Sequence, residues 1–146
     1  MMTSNYIQKS NEIIKESFKE KVDKGGQPYI NHLYRVSYKF RSENLIVVSL
    51  LHDLLEDCSE WDEEKLRYEF PTIIVDAIVC LTKIKGEPYS DYINRVKSNG
   101  ISLKVKISDL EDNMDIKRLM ELTDKDFKRL QKYHKTWLEL TSFNKK

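Results

Sequence analysis

The sequence predicts an all-α domain, and three observations predict it. Apolar residues recur at spacings of three and four, strand-like alternation is nearly absent, and the periodic runs are separated by helix caps and turn residues. At 146 residues the chain suits a single domain, residues 1–146, with room for a substantial core. No internal repeat or low-complexity tract interrupts it.

The first helix is expected over about residues 4–20, with Ile7, Ile14 and Phe18 on one stripe, and ends before Gly25-Gly26-Gln27-Pro28. A second follows over 29–40 and carries His32. Ser42 is the expected N-cap of a third, central helix that is apolar nearly all round and ends in His52-Asp53-Leu54-Leu55-Glu56-Asp57. Ser59 to Asp62 has the pattern of a helix start, and Pro71 suits the first turn of a helix through Ile74, Ile78 and Leu81. After a loop over 83–88, a short helix over 89–98 stops at Asn99-Gly100, and Ser102 is expected to cap a helix holding Asp109 and Asn113. Thr123 to Asp126 opens the last helix, whose Phe127, Leu130, His134, Trp137 and Thr141 read as core packing. His134 is expected to be a hydrogen-bonded core residue, and the Lys145-Lys146 end to fray.

Lys+Arg 25 against Asp+Glu 24 leaves a formal net charge of +1, so no global electrostatic argument favours nucleic acid or a membrane surface. Cys58 and Cys80 are too few for a disulfide framework and read as reduced thiols. The Met1–Tyr6 start lacks a charged region followed by an apolar stretch, and no run reaches eighteen apolar residues. A cytoplasmic protein is expected.

The chemistry concentrates in the His52-to-Asp57 motif at the end of the apolar run. On a continuous helix His52 and Glu56 share a face, with Asp53 and Asp57 as the neighbouring pair. Burying such a stripe is costly unless a positive group sits against it, and a divalent cation answers that need. The alternative is a solvated polar face carrying one histidine. Three segments supply ligands: His32, the His52-Asp53 pair, and Asp109. Two imidazoles and two carboxylates suit manganese, iron or zinc, and the lack of thiolates argues against a closed structural zinc site. Such a metal acidifies bound water and polarises a phosphoryl oxygen, which serves phosphate-ester hydrolysis. Glu56, one turn beyond His52, is the expected general base. Its alternative, shared with Asp57, is pairing with lysines at a helix end.

Three blocks, Gly26-Gln27-Pro28-Tyr29-Ile30-Asn31-His32, the His52-to-Asp57 motif and Lys106-Ile107-Ser108-Asp109-Leu110-Glu111-Asp112-Asn113-Met114, resemble HD-domain hydrolases of the RelA/SpoT type. The likeness is to the single-domain form, the small alarmone hydrolases, over about residues 20–140. It implies an all-α HD-superfamily helical domain that binds manganese and removes the 3′-pyrophosphate from guanosine tetra- and pentaphosphate, the alarmones of the stringent response. It implies metal ligation by His32, His52, Asp53 and Asp109, water activation by Glu56 and Asp57, and nucleoside contact by Asn113.

Where that family has an Arg-Lys pair, the chain reads Asp23-Lys24; its His-Pro is His32-Leu33, and its Arg-x-His-Asn segment is Leu110-Glu111-Asp112-Asn113. The metal block is intact, and the departures bear on which base is read. Another nucleotide such as NADPH is the alternative substrate, and a non-catalytic nucleotide-binding module the alternative class. Among Lys24, Lys83, Lys85, Lys104 and Lys106, most are expected to be solvated, with Lys24 the strongest candidate for substrate phosphate. Tyr89 and Tyr92 either border a nucleotide pocket or pack a short helix on the core.

Overall fold

In a computed structural model that describes residues 5–145, the apolar stripes become helices in the expected order. Helix α1 (Asn5–Ser17) buries Ser10 and Ile14 and gives way to a turn at Phe18, short of residue 20. The start at residue 4 and the end at Lys146 lie outside the described residues. Helix α2 (Ile30–Ser37) buries His32, Leu33, Val36 and Ser37 along one face. Before it, Gly26 takes φ +83°, a left-handed value that glycine adopts without Cβ strain, and so the chain turns tightly into Pro28.

Helix α3 (Glu43–Leu51) is capped as expected by Ser42, whose side chain accepts from the Leu45 N–H at 3.3 Å. The expected continuous helix through the His-Asp motif is instead broken. His52 and Asp53 form a turn, with Asp53 at φ −99°, ψ 0°, and a one-turn helix α4 (Leu54–Asp57) follows.

Helix α5 (Glu63–Glu69) starts three residues later than the Ser59 pattern suggested, because Asp62 is the cap and accepts from the Lys65 N–H at 2.8 Å. Helix α6 (Thr72–Leu81) follows Pro71, and α7 (Tyr89–Lys97) follows Pro88. Helix α8 (Gly100–Asn113) is capped by Asn99, whose Oδ1 accepts from the N–H groups of Ile101 and Ser102 at 3.0 Å. The expected cap, Ser102, is buried and donates its hydroxyl to Ala77 O in α6 at 2.8 Å. A 3-10 turn (Ile116–Arg118) leads to α9 (Asp124–Asn144), which opens on a Thr123/Asp126 capping box.

Helix α3 lies at the centre, against α1, α2, α6 and α8, and α9 lies on α8 and α7. Val47, Val48, Leu51, Leu54, Ile74, Ile78 and Leu110 have no exposed surface, and each such side chain stabilises the fold by about 1.5–3 kcal/mol. The core face of α9 differs from the expected stripe. Phe127 and His134 are exposed, whereas Thr136 and Leu140 are buried with Tyr133 and Trp137 half-buried beside them. Polar contacts select that face: Trp137 donates its indole N–H to Glu111 at 2.9 Å, and Thr136 shares a 3.1 Å hydrogen bond with the Tyr89 hydroxyl. His134 stacks on Trp137 from outside. Among the described residues no helix is long and apolar enough to cross a membrane.

Candidate metal centre and the adjoining cavity

The break at His52-Asp53 matters chemically. Adjacent residues on a regular helix diverge, yet here His52 Nε2 and Asp53 Oδ2 approach to 3.3 Å. His32 from α2 and Asp109 from α8 complete the group. Asp109 Oδ1 lies 2.9 Å from His32 Nε2 and 3.3 Å from His52 Nε2, and His32 Nε2 lies 4.0 Å from Asp53 Oδ2. Donor atoms of His32, His52 and Asp109 all fall within 4.8 Å of one another, and all three residues are buried.

Both imidazoles are oriented from behind. His52 Nδ1 donates to Ser49 O and His32 Nδ1 to Asp112 Oδ2, each at 2.6 Å, so both Nε2 atoms face Asp109. Asp112 is held in turn by Arg35, at 2.7 and 3.2 Å, and by Arg118. Tyr29 donates its hydroxyl to Asp53 Oδ2, and Asn113 donates to Asp109 Oδ1 at 3.2 Å. Such outer contacts fix ligand direction and raise imidazole basicity.

The electrostatics match a cation site. Burial opposes a charged His32, but the carboxylates of Asp109 and Asp112 outweigh it and raise its pKa to about 10. His52 is raised for similar reasons, burial being outweighed by Asp53 and Asp109. Asp109 is held well below the usual carboxylate range despite its burial, chiefly by Lys106 and the two histidines. These carboxylates favour positive charge between them, which a divalent ion would supply without protonating either ring. The donor set of two nitrogens and hard oxygens fits such an ion.

The remaining predicted residues fall into distinct places. Glu56 Oε1 accepts the Lys83 backbone N–H at 2.6 Å, and the carboxyl is raised by burial. It lines a small hollow of about 130 Å³ with His52, Asp53, Lys106, Tyr89 and Tyr92. Asp57 forms a 2.8 Å ion pair with Lys21. Lys24 lines a larger cavity of about 370 Å³, together with Asp23, Arg35, Arg118 and Arg129. Asn113, Tyr29 and Tyr133 border both spaces. Across the larger cavity Gly25 abuts the 3-10 turn so closely that a Cβ there would lie 2.9 Å from Arg118 O.

Lys106, grouped with the solvated lysines, is buried and pairs with Asp109 at 3.1 Å. Lys85 and Lys104 are exposed as expected. Asp112, Arg35, Ser49 and the Tyr29 hydroxyl carry site geometry that the motifs did not assign. The available signal was spacing, since Asp112 is one helical turn beyond Asp109.

No family model matches the sequence. It is 31% identical over 137 residues to a guanosine-3′,5′-bis(diphosphate) 3′-pyrophosphohydrolase of Aquifex aeolicus (strain VF5), covering 86% of this chain. The chain spans 19% of that relative's length. Among solved structures it matches one described as a metazoan ortholog of SpoT that hydrolyses ppGpp and plays a role in starvation responses. The TM-score is 0.79 at 17% identity, over 96% of this chain and 87% of the other. The chain has the fold of that SpoT ortholog. In this fold the break between α3 and α4 and the inward face of α8 present the candidate metal donors, and the expectation of an all-α helical domain is borne out.

Proposed function

We propose that the chain is a metal-dependent hydrolase that removes the 3′-pyrophosphate from guanosine 3′,5′-bis(diphosphate)-like nucleotides. The convergence of buried His32, His52 and Asp109 within 4.8 Å, beside Asp53, carries this reading. The activity named for the Aquifex relative, which matches 86% of this chain, supports it. His32, His52, Asp53 and Asp109 would hold the ion, and manganese is the proposed metal. When bound, it supplies Lewis acidity toward a phosphoryl oxygen and lowers the pKa of water.

The chain's own groups do the rest. Tyr29 keeps Asp53 turned inward, and Asp112 keeps His32 in one tautomer. Glu56, anchored by the Lys83 N–H and made more basic by burial, takes the proton from the attacking water. Asp57 is assigned to the same proton transfer, from its ion pair with Lys21. Asn113 contacts the nucleoside and Lys24 its phosphates, each from the cavity wall.

Purified protein supplied with manganese and a nucleotide panel tests this, with phosphate and pyrophosphate measured separately. Pyrophosphate release from the 3′-diphosphate is expected, and its absence across all 3′-diphosphates overturns the reading. A second reading, a different nucleotide such as NADPH, rests on Asp23 in the wall of the larger cavity. A carboxylate lacks the planar cation that stacks on a base. Comparing guanosine and adenosine 3′,5′-bis(diphosphates) with NADPH, in the wild type and Asp23→Arg, separates the two.

A further inference from the structure

Asp109 uses its two oxygens differently. Oδ1 faces the other candidate donors, 2.9 Å from His32 Nε2 and 3.3 Å from His52 Nε2, and accepts from the Asn113 amide at 3.2 Å. Oδ2 instead accepts from Lys106 Nζ at 3.1 Å. The two residues sit one turn apart on the inward face of α8, where the lysine is 9% and the aspartate 6% exposed. An ion pair of this spacing on a helix surface contributes little, but a lysine so deeply buried needs a partner. Among the described residues Asp109 is the only carboxylate within ion-pair distance of it.

The lysine is in turn placed from outside its own helix. Its Nζ lies 5.4 Å from the centre of the Tyr92 ring, whose π face attracts an ammonium. Tyr92 is itself fixed, being 2% exposed and donating its hydroxyl to Leu81 O at 2.9 Å. The end of α6, the Tyr92 side of α7 and the inward face of α8 thus converge on one oxygen of one carboxylate. The division between the oxygens matters for a cation. A carboxylate binds a hard divalent ion through one oxygen or through both. Binding through both fills a position that a catalytic site keeps open.

We propose that Lys106 is a positioning residue: by holding Oδ2 it restricts Asp109 to a single donor oxygen and so keeps one coordination position of the ion open. This rests on the metal-dependent hydrolase reading above. Lys106 acts through Asp109, and Tyr92 acts through Lys106. Removing the ammonium should then change how the ion is bound, not only whether substrate is held.

The test compares wild type, Lys106→Met, Lys106→Arg and the exposed Lys104→Met, each as the full chain loaded with manganese. Water-proton relaxation counts the waters on the ion, and calorimetry gives its affinity. With one donor atom each from His32, His52, Asp53 and Asp109, an octahedral ion in the wild type is expected to carry about two waters. Lys106→Met keeps the length of the side chain without its charge. It is expected to lose about one of those waters and to bind manganese about tenfold more tightly, because a competing cation is gone. Turnover of guanosine 3′,5′-bis(diphosphate) should fall about tenfold with KM within about twofold. Lys106→Arg restores the water count, and Lys104→Met resembles wild type. An unchanged count in Lys106→Met overturns the proposal, and a raised KM beside that unchanged count marks a substrate contact instead. Should Lys106→Met not fold, the wild-type count decides, and one water or none overturns the proposal. If the counts follow the expected pattern while wild type hydrolyses no 3′-diphosphate, the hydrolase reading fails and the positioning role stands. A wild type that binds no manganese overturns both.

Discussion

Asp112 is not itself a predicted ligand, yet it sets the direction of His32, one of the predicted ligands. Its carboxylate is held near a pKa of about 2, burial being outweighed by hydrogen bonds from His32 and Arg35. Asp112→Asn would keep an acceptor oxygen but lose the charge, and metal affinity is expected to fall about 10- to 100-fold while the fold persists. Calorimetric titration with manganese measures this, and an unchanged affinity would leave Asp112 a purely structural partner of Arg35. For Glu56 the sign is clear. Burial holds its carboxyl above the ordinary 4.5, and a base acts only when ionised, so turnover should decline as pH falls through that raised value. Glu56→Gln should remove this acid limb and lower the catalytic constant about a hundredfold with metal retained, as a pH–rate profile will report. At this scale the ligands were legible because histidine and carboxylate patterns betray cation binding. Asp112 and Lys106 were not, since an acid or a lysine among charged neighbours reads as solvated until long-range contacts to Arg35 and Tyr92 bury it.

Among the elements, the segment joining α6 to α7 is the one that serves the site, because it carries the Lys83 N–H that anchors Glu56. Arg95 in α7 latches it. The guanidinium donates to both oxygens of Glu87 at 2.8 and 2.7 Å, and to the carbonyls of Val79 and Thr82 at the end of α6. Arg95, with further help from the Ile84 N–H, keeps the Glu87 carboxyl below its ordinary 4.5. The latch therefore stabilises fully above the unfolded value near 4.5, and its contribution is lost as pH falls through the lower folded value. Arg95→Ala should lower the melting temperature at neutral pH, flatten its decline in that acidic window and weaken Glu56-dependent turnover. A melting series at stepped pH, with activity alongside, checks all three. Helix order and most caps were legible from periodicity, because local spacing encodes them. The break at His52-Asp53, the burial of Ser102 in place of the expected capping role and the inward face of α9 were not. Each is decided by a partner remote in sequence: Asp109, Ala77 and Glu111 respectively.

Across the whole molecule, the proposed ion would join α2, the α3–α4 break and α8, reinforcing the packing of α2, α3 and α8 on one another. Binding to the folded state alone adds stability by mass action, about 2.7 kcal/mol at a hundredfold excess over the dissociation constant. Manganese should therefore raise the melting temperature, a chelator should reverse the gain, and Asp53→Asn should shrink it. A melting curve indifferent to manganese in the wild type would count against a resident metal.

The contact between Gly25 and the Arg118 carbonyl has a consequence for how the larger cavity tolerates change. Its two rims meet backbone to backbone, so their separation is gauged by a missing methyl group rather than by adaptable side chains. Gly25→Ala would act as a shim. It should pry the 23–27 turn from the 3-10 turn, displace Lys24 and Arg118 together, and weaken binding of the proposed nucleotide more than binding of manganese, as titrations of each into the variant would measure.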